Sequence, residues 1–156
     1  MENYMKLEIA AFSENESFAR NAVAAFALAL NPSLSELSDI KTAVSEAVTN
    51  SIVHAYKKHE NDRKIDIECR LERVGNAGVI HIKISDYGCG IDDMEKAVLP
   101  FFTTTNGEER SGMGFTIMQT FMSDFSVQSE KGQGTTVQMS KRIKAEIAEE
   151  QERVDA

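Results

Sequence analysis

The sequence predicts a two-layer α/β sandwich: a mixed, mostly antiparallel sheet covered on one face by helices. Three observations lead there. Hydrophobic periodicity along the 156 residues runs strand, two helices, two strands, loop, helix, two strands. The strands that are neighbours in sequence are joined by short glycine-bearing turns, which favours antiparallel pairing. The repeated strand–helix alternation of a doubly wound parallel sheet is missing.

Taken in order, "MKLEIAAF" is the first strand, with Leu7, Ile9 and Ala11 alternating inward. "SENE" follows, placing Ser13 at an N-cap and Glu16 three residues on, the pattern of a capping box. Phe18, Ala22, Ala25, Phe26 and Ala29 recur at helical spacing, and Asn31-Pro32 ends that helix. A second helix begins near Ser35 and runs to about His59, on an apolar stripe of Ile40, Ala43, Val44, Ala47, Val48, Ile52 and Ala55. "RKIDIECRL" and "GVIHIKISD" are period-two strands turning at "VGNAG". "DYGCGI" is a loop, a short helix is expected over 92–98, and "FFTTTNGEERSGMG" reads as a further loop. A helix over 115–123 and the strand–turn–strand "FSVQSEKGQGTTVQMS" complete one domain, 1–142, followed by a charged tail, 143–156.

Composition narrows the class. Hydrophobic residues make up 42% and charged residues 27%, as in an ordinary globular domain. A net charge of −8, with a pI near 4.9, disfavours a nucleic-acid or anionic-membrane surface. The N-terminus lacks a basic segment followed by an apolar one, and no window approaches the roughly 18 apolar residues of a membrane span. Cys69 and Cys89 fit no metal-ligand spacing, and Cys69 continues an alternating apolar run. A reducing cytoplasm is the expected setting.

Four segments carry chemistry. In "SEAVTNSIVHAY", at about 100° per residue, Glu46 and Asn50 share a polar stripe beside the apolar one, and His54 extends it by a turn. A carboxylate there can orient or deprotonate a hydroxyl, and an amide oxygen suits Mg²⁺. A solvated polar flank is the ordinary alternative. In "DYGCG", Asp86 ends an apolar strand and Gly88 and Gly90 follow, so a carboxylate that only accepts hydrogen bonds lies where backbone can approach a flat ligand. In "RSGMGF", Gly112 and Gly114 precede a helix whose first N–H groups suit phosphate, and Arg110 can pair with a terminal phosphate. Neither a Walker A loop nor G-x-G-x-x-G occurs. In "KGQGTTV", Gly132 and Gly134 make a turn and Thr135 opens a strand. Each of the last three is also an ordinary turn when taken singly.

Their order is the stronger signal. E-x-x-x-N on a helix, D-x-G-x-G after a strand, G-x-G before a helix and G-x-G-T before a strand resemble the GHKL ATP-binding superfamily, from Glu46 to Val137. "SENESFAR", "SEAVTNSIVHAY", "FTTT" and "ERSGMGFTIM" are similar to the anti-sigma F factors of spore-forming bacteria, with likeness from Met5 to about Arg142.

The resemblance implies a Bergerat-type fold and a serine protein kinase using ATP, with ADP as product, and Mg²⁺. It implies Glu46 as general base, Asn50 as the Mg²⁺ ligand, and Asp86 as reader of the adenine amine, walled by Gly88 and Gly90. By the same resemblance His54 joins the nucleotide-binding set. Thr103, Thr104, Gly112, Met113, Gly114 and Phe115 belong to a lid, Arg110 meets the γ-phosphate, and Gly134 and Thr135 support the base. Thr105 stands where relatives commonly carry a lysine. Glu16 and Arg20, four apart on the first helix, become partner contacts. The partners implied are sigma F and an anti-anti-sigma factor that is the phosphorylation substrate, with the chain acting as a homodimer. A sigma-B-type anti-sigma kinase and an ATP-gated sigma-binding module with little kinase activity are the alternatives.

Overall fold

The computed structural model describes residues 2–56, 63–91 and 113–144. Among these residues five strands form one sheet: β1 (Asn3–Ala10), β2 (Lys64–Val74), β3 (Ala77–Asp86), β4 (Asp124–Glu130) and β5 (Gly134–Ile143). The strand order is β1-β2-β3-β5-β4, and every pairing is antiparallel. Among the described residues three helices pack on one face: α1 (Glu14–Ala27), α2 (Leu34–Asn50) and α3 (Gly114–Phe121). The two-layer expectation therefore holds. The expected helix over 92–98 and the tail lie outside the described residues.

Register explains the two faces. Met5, Cys69, Ile82, Met139 and Phe125 form one cross-strand row, and Leu7, Ile67, Ile84, Val137 and Val127 form the next. These rows meet the helices in the core. The intervening rows point the other way and are polar: Lys6, Glu68, Lys83, Gln138 and Ser126 make one of them. Period-two alternation thus separates an apolar inner face from a solvated outer one.

The third inner row begins Ile9, Ile65 and then places Asp86 where an aliphatic residue would continue the pattern. That carboxylate is 6% exposed. A charge in an apolar row is costly unless hydrogen-bonded, so the fold points to it as a site.

The helices depart from the sequence expectations in three ways. α1 does begin after Ser13, but Ser13 has helical backbone angles and makes no side-chain cap. Glu16 turns instead to Arg20, accepting from Nη1 at 3.1 and 3.3 Å. The capping box is at the start of α2, where Ser33 Oγ accepts from Glu36 N at 3.1 Å and Glu36 Oε1 accepts from Ser33 N at 2.9 Å. Ser33 is extended (φ −66°, ψ 164°), the geometry that lets a short side chain reach the third residue.

The buried stripe of α1 is Ala19, Val23, Ala24 and Ala27, with Phe18 left 56% exposed. Small residues allow α1 to lie close against α2, so size and not hydrophobicity alone chose the inward face. α1 ends through a 3₁₀ turn, Leu28–Leu30, into Asn31 with φ at 52°. Lastly, α2 does not run to His59. It ends at Asn50, passes into a single π-helical turn, Ser51–Ala55, and becomes extended at Tyr56. The stripe from Ile40 to Val48 is buried as expected. Such wide turns within helices often mark functional positions. The helix expected over 115–123 spans Gly114–Phe121.

Candidate functional site

Glu46 and Asn50 sit one turn apart on α2, each half-buried beside the core positions Ala43 and Ala47. The start of α3 comes to the same place. A Cβ added to Gly114 would stand 2.9 Å from Asn50 Nδ2, 3.2 Å from Asn50 Oδ1 and 3.3 Å from Glu46 Oε2. A side chain there would press on the ends of both groups, so glycine lets the start of α3 approach them. Three residues from two separate motifs therefore converge. Met113 is the residue before α3, with its carbonyl bound by Ile117 N at 2.8 Å. Phe115 is buried, its ring 5.8 Å from that of Phe125, and anchors α3 to the core. Thr103, Thr104, Arg110 and Gly112 lie outside the described residues.

The other end of the site is built around Asp86. Its Oδ1 accepts from Gly88 N and from Thr135 N, both at 3.1 Å, and its Oδ2 accepts from Ser51 Oγ at 2.9 Å. Burial raises the Asp86 pKa above its ordinary 3.8, and the Gly88, Ser51 and Thr135 hydrogen bonds oppose that rise. A carboxylate offers about four acceptor positions, so three donors leave one for a ligand. That arrangement fits an exocyclic amine.

The glycines around Asp86 answer to backbone packing. A Cβ on Gly88 would fall 2.1 Å from the Ala55 carbonyl oxygen, and one on Gly134 would fall 2.2 Å from the Asp86 carbonyl oxygen. Gly134 also has φ at 112°, a region L side chains rarely adopt. The wide turn after α2 leaves carbonyls without helical partners, and the loop supplies them. Cys89 N donates to Ala55 O at 2.8 Å, and the Cys89 thiol reaches His54 O at 3.3 Å. His54 itself is half-buried, and the π turn takes it off the simple helical continuation of Glu46 and Asn50. Gly132 N in turn donates to Cys89 O at 2.7 Å, tying this loop to the β4–β5 turn.

Two further residues of this cluster stand outside the four sequence motifs. Ser51 sits on the core side, 6% exposed, where a hydroxyl demands a buried partner. Its position four after Ala47 on the apolar stripe was a readable signal. Ser129 accepts from Ile91 N at 2.7 Å, donates to Gly134 O at 3.1 Å, and lies 2.8 Å from Thr135 Oγ1. It fixes Thr135 and the end of the Asp86 loop together. A lone serine in a short strand gave no such warning.

Arg20, paired with Glu16, lines a groove of about 460 Å³ together with Leu37, Lys41, Ser45 and Glu46. The sequence-expected partner residue and the sequence-expected base thus border one surface. Among the described residues there is no group of three or more His, Cys, Asp and Glu that could hold a metal. Mg²⁺ often takes only one or two protein oxygens when nucleotide phosphates supply the rest. Asn50 suits that arrangement. Among the same residues no helix is long and apolar enough to cross a membrane.

A family model described as the histidine kinase-like ATPase domain matches residues 9–141. The anti-sigma F factor of Caldanaerobacter subterraneus subsp. tengcongensis is 54% identical over 141 residues, covering 90% of this chain and 94% of that protein. The anti-sigma F factor of Geobacillus kaustophilus is 50% identical over 143 residues, covering 92% and 94%. Among solved structures, the RsbU and RsbW domains of Rv1364c from Mycobacterium tuberculosis superpose with a TM-score of 0.62 at 16% identity, over 90% of this chain and 32% of that one. The mycobacterial sensor histidine kinase MprB gives 0.52 at 15% identity, over 92% and 99%. At these identities the two structures speak for the fold.

Proposed function

This chain belongs to the anti-sigma F factor family of histidine kinase-like ATPase domains, and from that premise we propose that it binds a sigma factor of the sigma F type and phosphorylates a serine of an anti-anti-sigma protein with Mg²⁺-ATP. The observation that carries this reading is the adjacency of Asn50 and Ser51. Asn50 meets Gly114 and stands near Glu46, while Ser51, the next residue, bonds Asp86. One stretch of chain therefore links the buried carboxylate of Asp86 to the carboxylate–amide pair of Glu46 and Asn50.

Roles follow from chemistry. Asp86 accepts from the base amine. The start of α3 offers N–H groups to phosphate oxygens. Asn50 would offer a protein oxygen to a Mg²⁺ bound with the nucleotide, and that ion would supply charge neutralisation at the phosphates. Glu46 orients the substrate serine and accepts its proton as the new oxygen–phosphorus bond forms and the bond to ADP breaks. Arg110 and the paired Thr103 and Thr104 complete the phosphate side on the family pattern. The groove shared by Arg20 and Glu46 supports a protein substrate, since a docking residue and the base border the same surface. The same reading takes the active species to be a homodimer.

The test is incubation of the purified chain with ATP, Mg²⁺ and the anti-anti-sigma protein, followed by mass spectrometry of the partner. The expected result is one phosphoserine, with sigma F retained by the chain in a pull-down. A partner that stays unmodified while ATP binds would refute the kinase assignment. Acid-labile phosphate on a histidine would refute the serine assignment.

A further inference from the structure

The hydrogen bonds on Asp86 are unevenly shared between its two oxygens. Oδ1 accepts two backbone N–H groups, from Gly88 and Thr135. A carboxylate oxygen has two lone pairs, so Oδ1 is filled. Oδ2 accepts one bond, from the Ser51 hydroxyl at 2.9 Å. The one open acceptor position is therefore on Oδ2, beside Ser51 Oγ. Both residues are 6% exposed.

Ser51 differs from the other two donors in kind. Main-chain N–H groups at 88 and 135 would be there with almost any side chain, whereas the Ser51 hydroxyl is set by residue choice. A serine in a helical turn commonly donates back to the carbonyl four residues earlier. Here the hydroxyl donates to Asp86, and the Ser51 N–H goes to the carbonyls of Ala47 and Val48.

The consequence concerns which base the site accepts. An ionised carboxylate only accepts hydrogen bonds, which suits a purine carrying an amine at its six position. A six-oxo purine presents a carbonyl there, and two acceptors facing each other cannot bond. Without Ser51, Oδ2 loses the donor that holds it. The carboxyl can then turn about its bond to the β-carbon, or carry a proton on Oδ2 and become a donor. Either change relaxes rejection of the carbonyl.

We propose that Ser51 is a positioning residue for base recognition: its hydroxyl pins Oδ2 of Asp86 as an acceptor and thereby sets the preference of this site for six-amino over six-oxo purine nucleotides. The inference rests on the reading that Asp86 meets the base.

Calorimetric titration of ATP and ITP into the wild-type chain and into Ser51→Ala, Ser51→Cys and Ser51→Thr tests it. Wild type is expected to prefer ATP. Ser51→Ala should narrow the ATP:ITP affinity ratio by about tenfold, the lower end of what a hydrogen bond to a charged group is worth. Ser51→Cys keeps the volume with a weaker donor and should fall between. Ser51→Thr retains the hydroxyl and should restore the ratio. A Ser51 that only supports packing would weaken both nucleotides alike, and an unchanged ratio in Ser51→Ala and Ser51→Cys overturns the proposal. Wild type binding ATP and ITP equally overturns the base reading itself, a result distinct from failure of the variants.

Discussion

The two ends of the site are built differently. The end proposed to read a base is made of backbone: Gly88 lies against Ala55, Gly134 against Asp86, and one buried carboxylate collects three donors. At the end proposed for phosphate, the half-buried side chains of Glu46 and Asn50 flank the start of a helix. The contrast says where stability and function are coupled. At the base end the groups that would read the ligand also hold loop, sheet and helix together. At the other end the groups proposed to react border the core without filling it, so replacing them with residues of the same shape leaves no cavity.

The largest expected effect tests the second half of that contrast. Glu46→Gln keeps the size and removes the base, so phosphoryl transfer should fall by about 10²- to 10⁴-fold. Unfolding free energy should change by no more than about 1 kcal/mol, since the amide keeps the side chain's shape and one acceptor oxygen. Single-turnover kinetics beside a urea melt would read both. A large loss of stability would mean that Glu46 is structural and that the two ends are not so different.

Gly88→Ala probes the opposite end. The new Cβ would meet the Ala55 carbonyl oxygen, a backbone atom held by Cys89 N, and relief requires moving the helix end or the loop. A loss of about 3 kcal/mol is expected, at the upper end for overpacking. Nucleotide affinity should fall with it, because the shift displaces the loop that follows Asp86. Wild-type stability in this variant would show that the close approach is not needed.

Asp86→Asn separates the two roles of the base end. An asparagine Oδ1 can still accept from Gly88 and Thr135, and its Nδ2 can donate to Ser51 Oγ, so the internal network survives. The position facing the ligand changes from acceptor to donor. ATP affinity should drop by about 10- to 100-fold, the worth of a charged hydrogen bond. Stability should not drop. Burial raises the Asp86 carboxyl above its ordinary 3.8. The folded protein therefore holds this proton more tightly than the unfolded chain. Its contribution to stability is fully present below the ordinary value and is lost as pH rises through the folded one. At neutral pH the ionised group is a cost. Urea melts at about pH 4 and about pH 8 should show Asp86→Asn gaining on wild type at the higher value. A variant less stable than wild type at the higher pH would mean the carboxylate is a net support.

The architecture and most of the cluster around Asp86 were legible in the sequence, and the reasons are physical. Period-two alternation in "KIDIECRL" and "GVIHIKISD" states the inner face directly, and Asp86 interrupts it. The spacing of Glu46 and Asn50 needs only a regular helix, which α2 provides. What failed depended on tertiary context. Ser13 and Glu16 have the letters of a capping box, but Ser13 is already helical. Ser33 and Glu36 have the same letters and form the box because Ser33 is extended. The inward face of α1 departs from the expected stripe because close contact with α2 selects Ala19, Val23, Ala24 and Ala27 over Phe18. The π turn was invisible because nothing in "SIVHA" forbids an ordinary helix. Its partners, Cys89 and Asp86, come from more than 30 residues away, at separations of 35 in both hydrogen bonds.

The smallest expected effect uses the two thiols to ask whether a nucleotide visits the base end at all. Cys69 is buried in the central apolar row, and burial pushes its pKa up to about 12, so it should stay inert in the folded protein. Cys89 is exposed, in the loop between Asp86 and Gly90. Alkylation of the native chain should modify Cys89 alone, and both thiols in denaturant. Bound ATP should shield Cys89 without changing its inventory of backbone bonds. If only the unliganded form reacts, ATP at about nine times its dissociation constant slows modification by about tenfold at most. Glu46→Gln should keep this protection, because its change is at the other end, and Asp86→Asn should need more ATP to reach it. Protection equal in those two variants, or absent in wild type, would break the division between a base end that holds the ligand and a phosphate end that reacts with it.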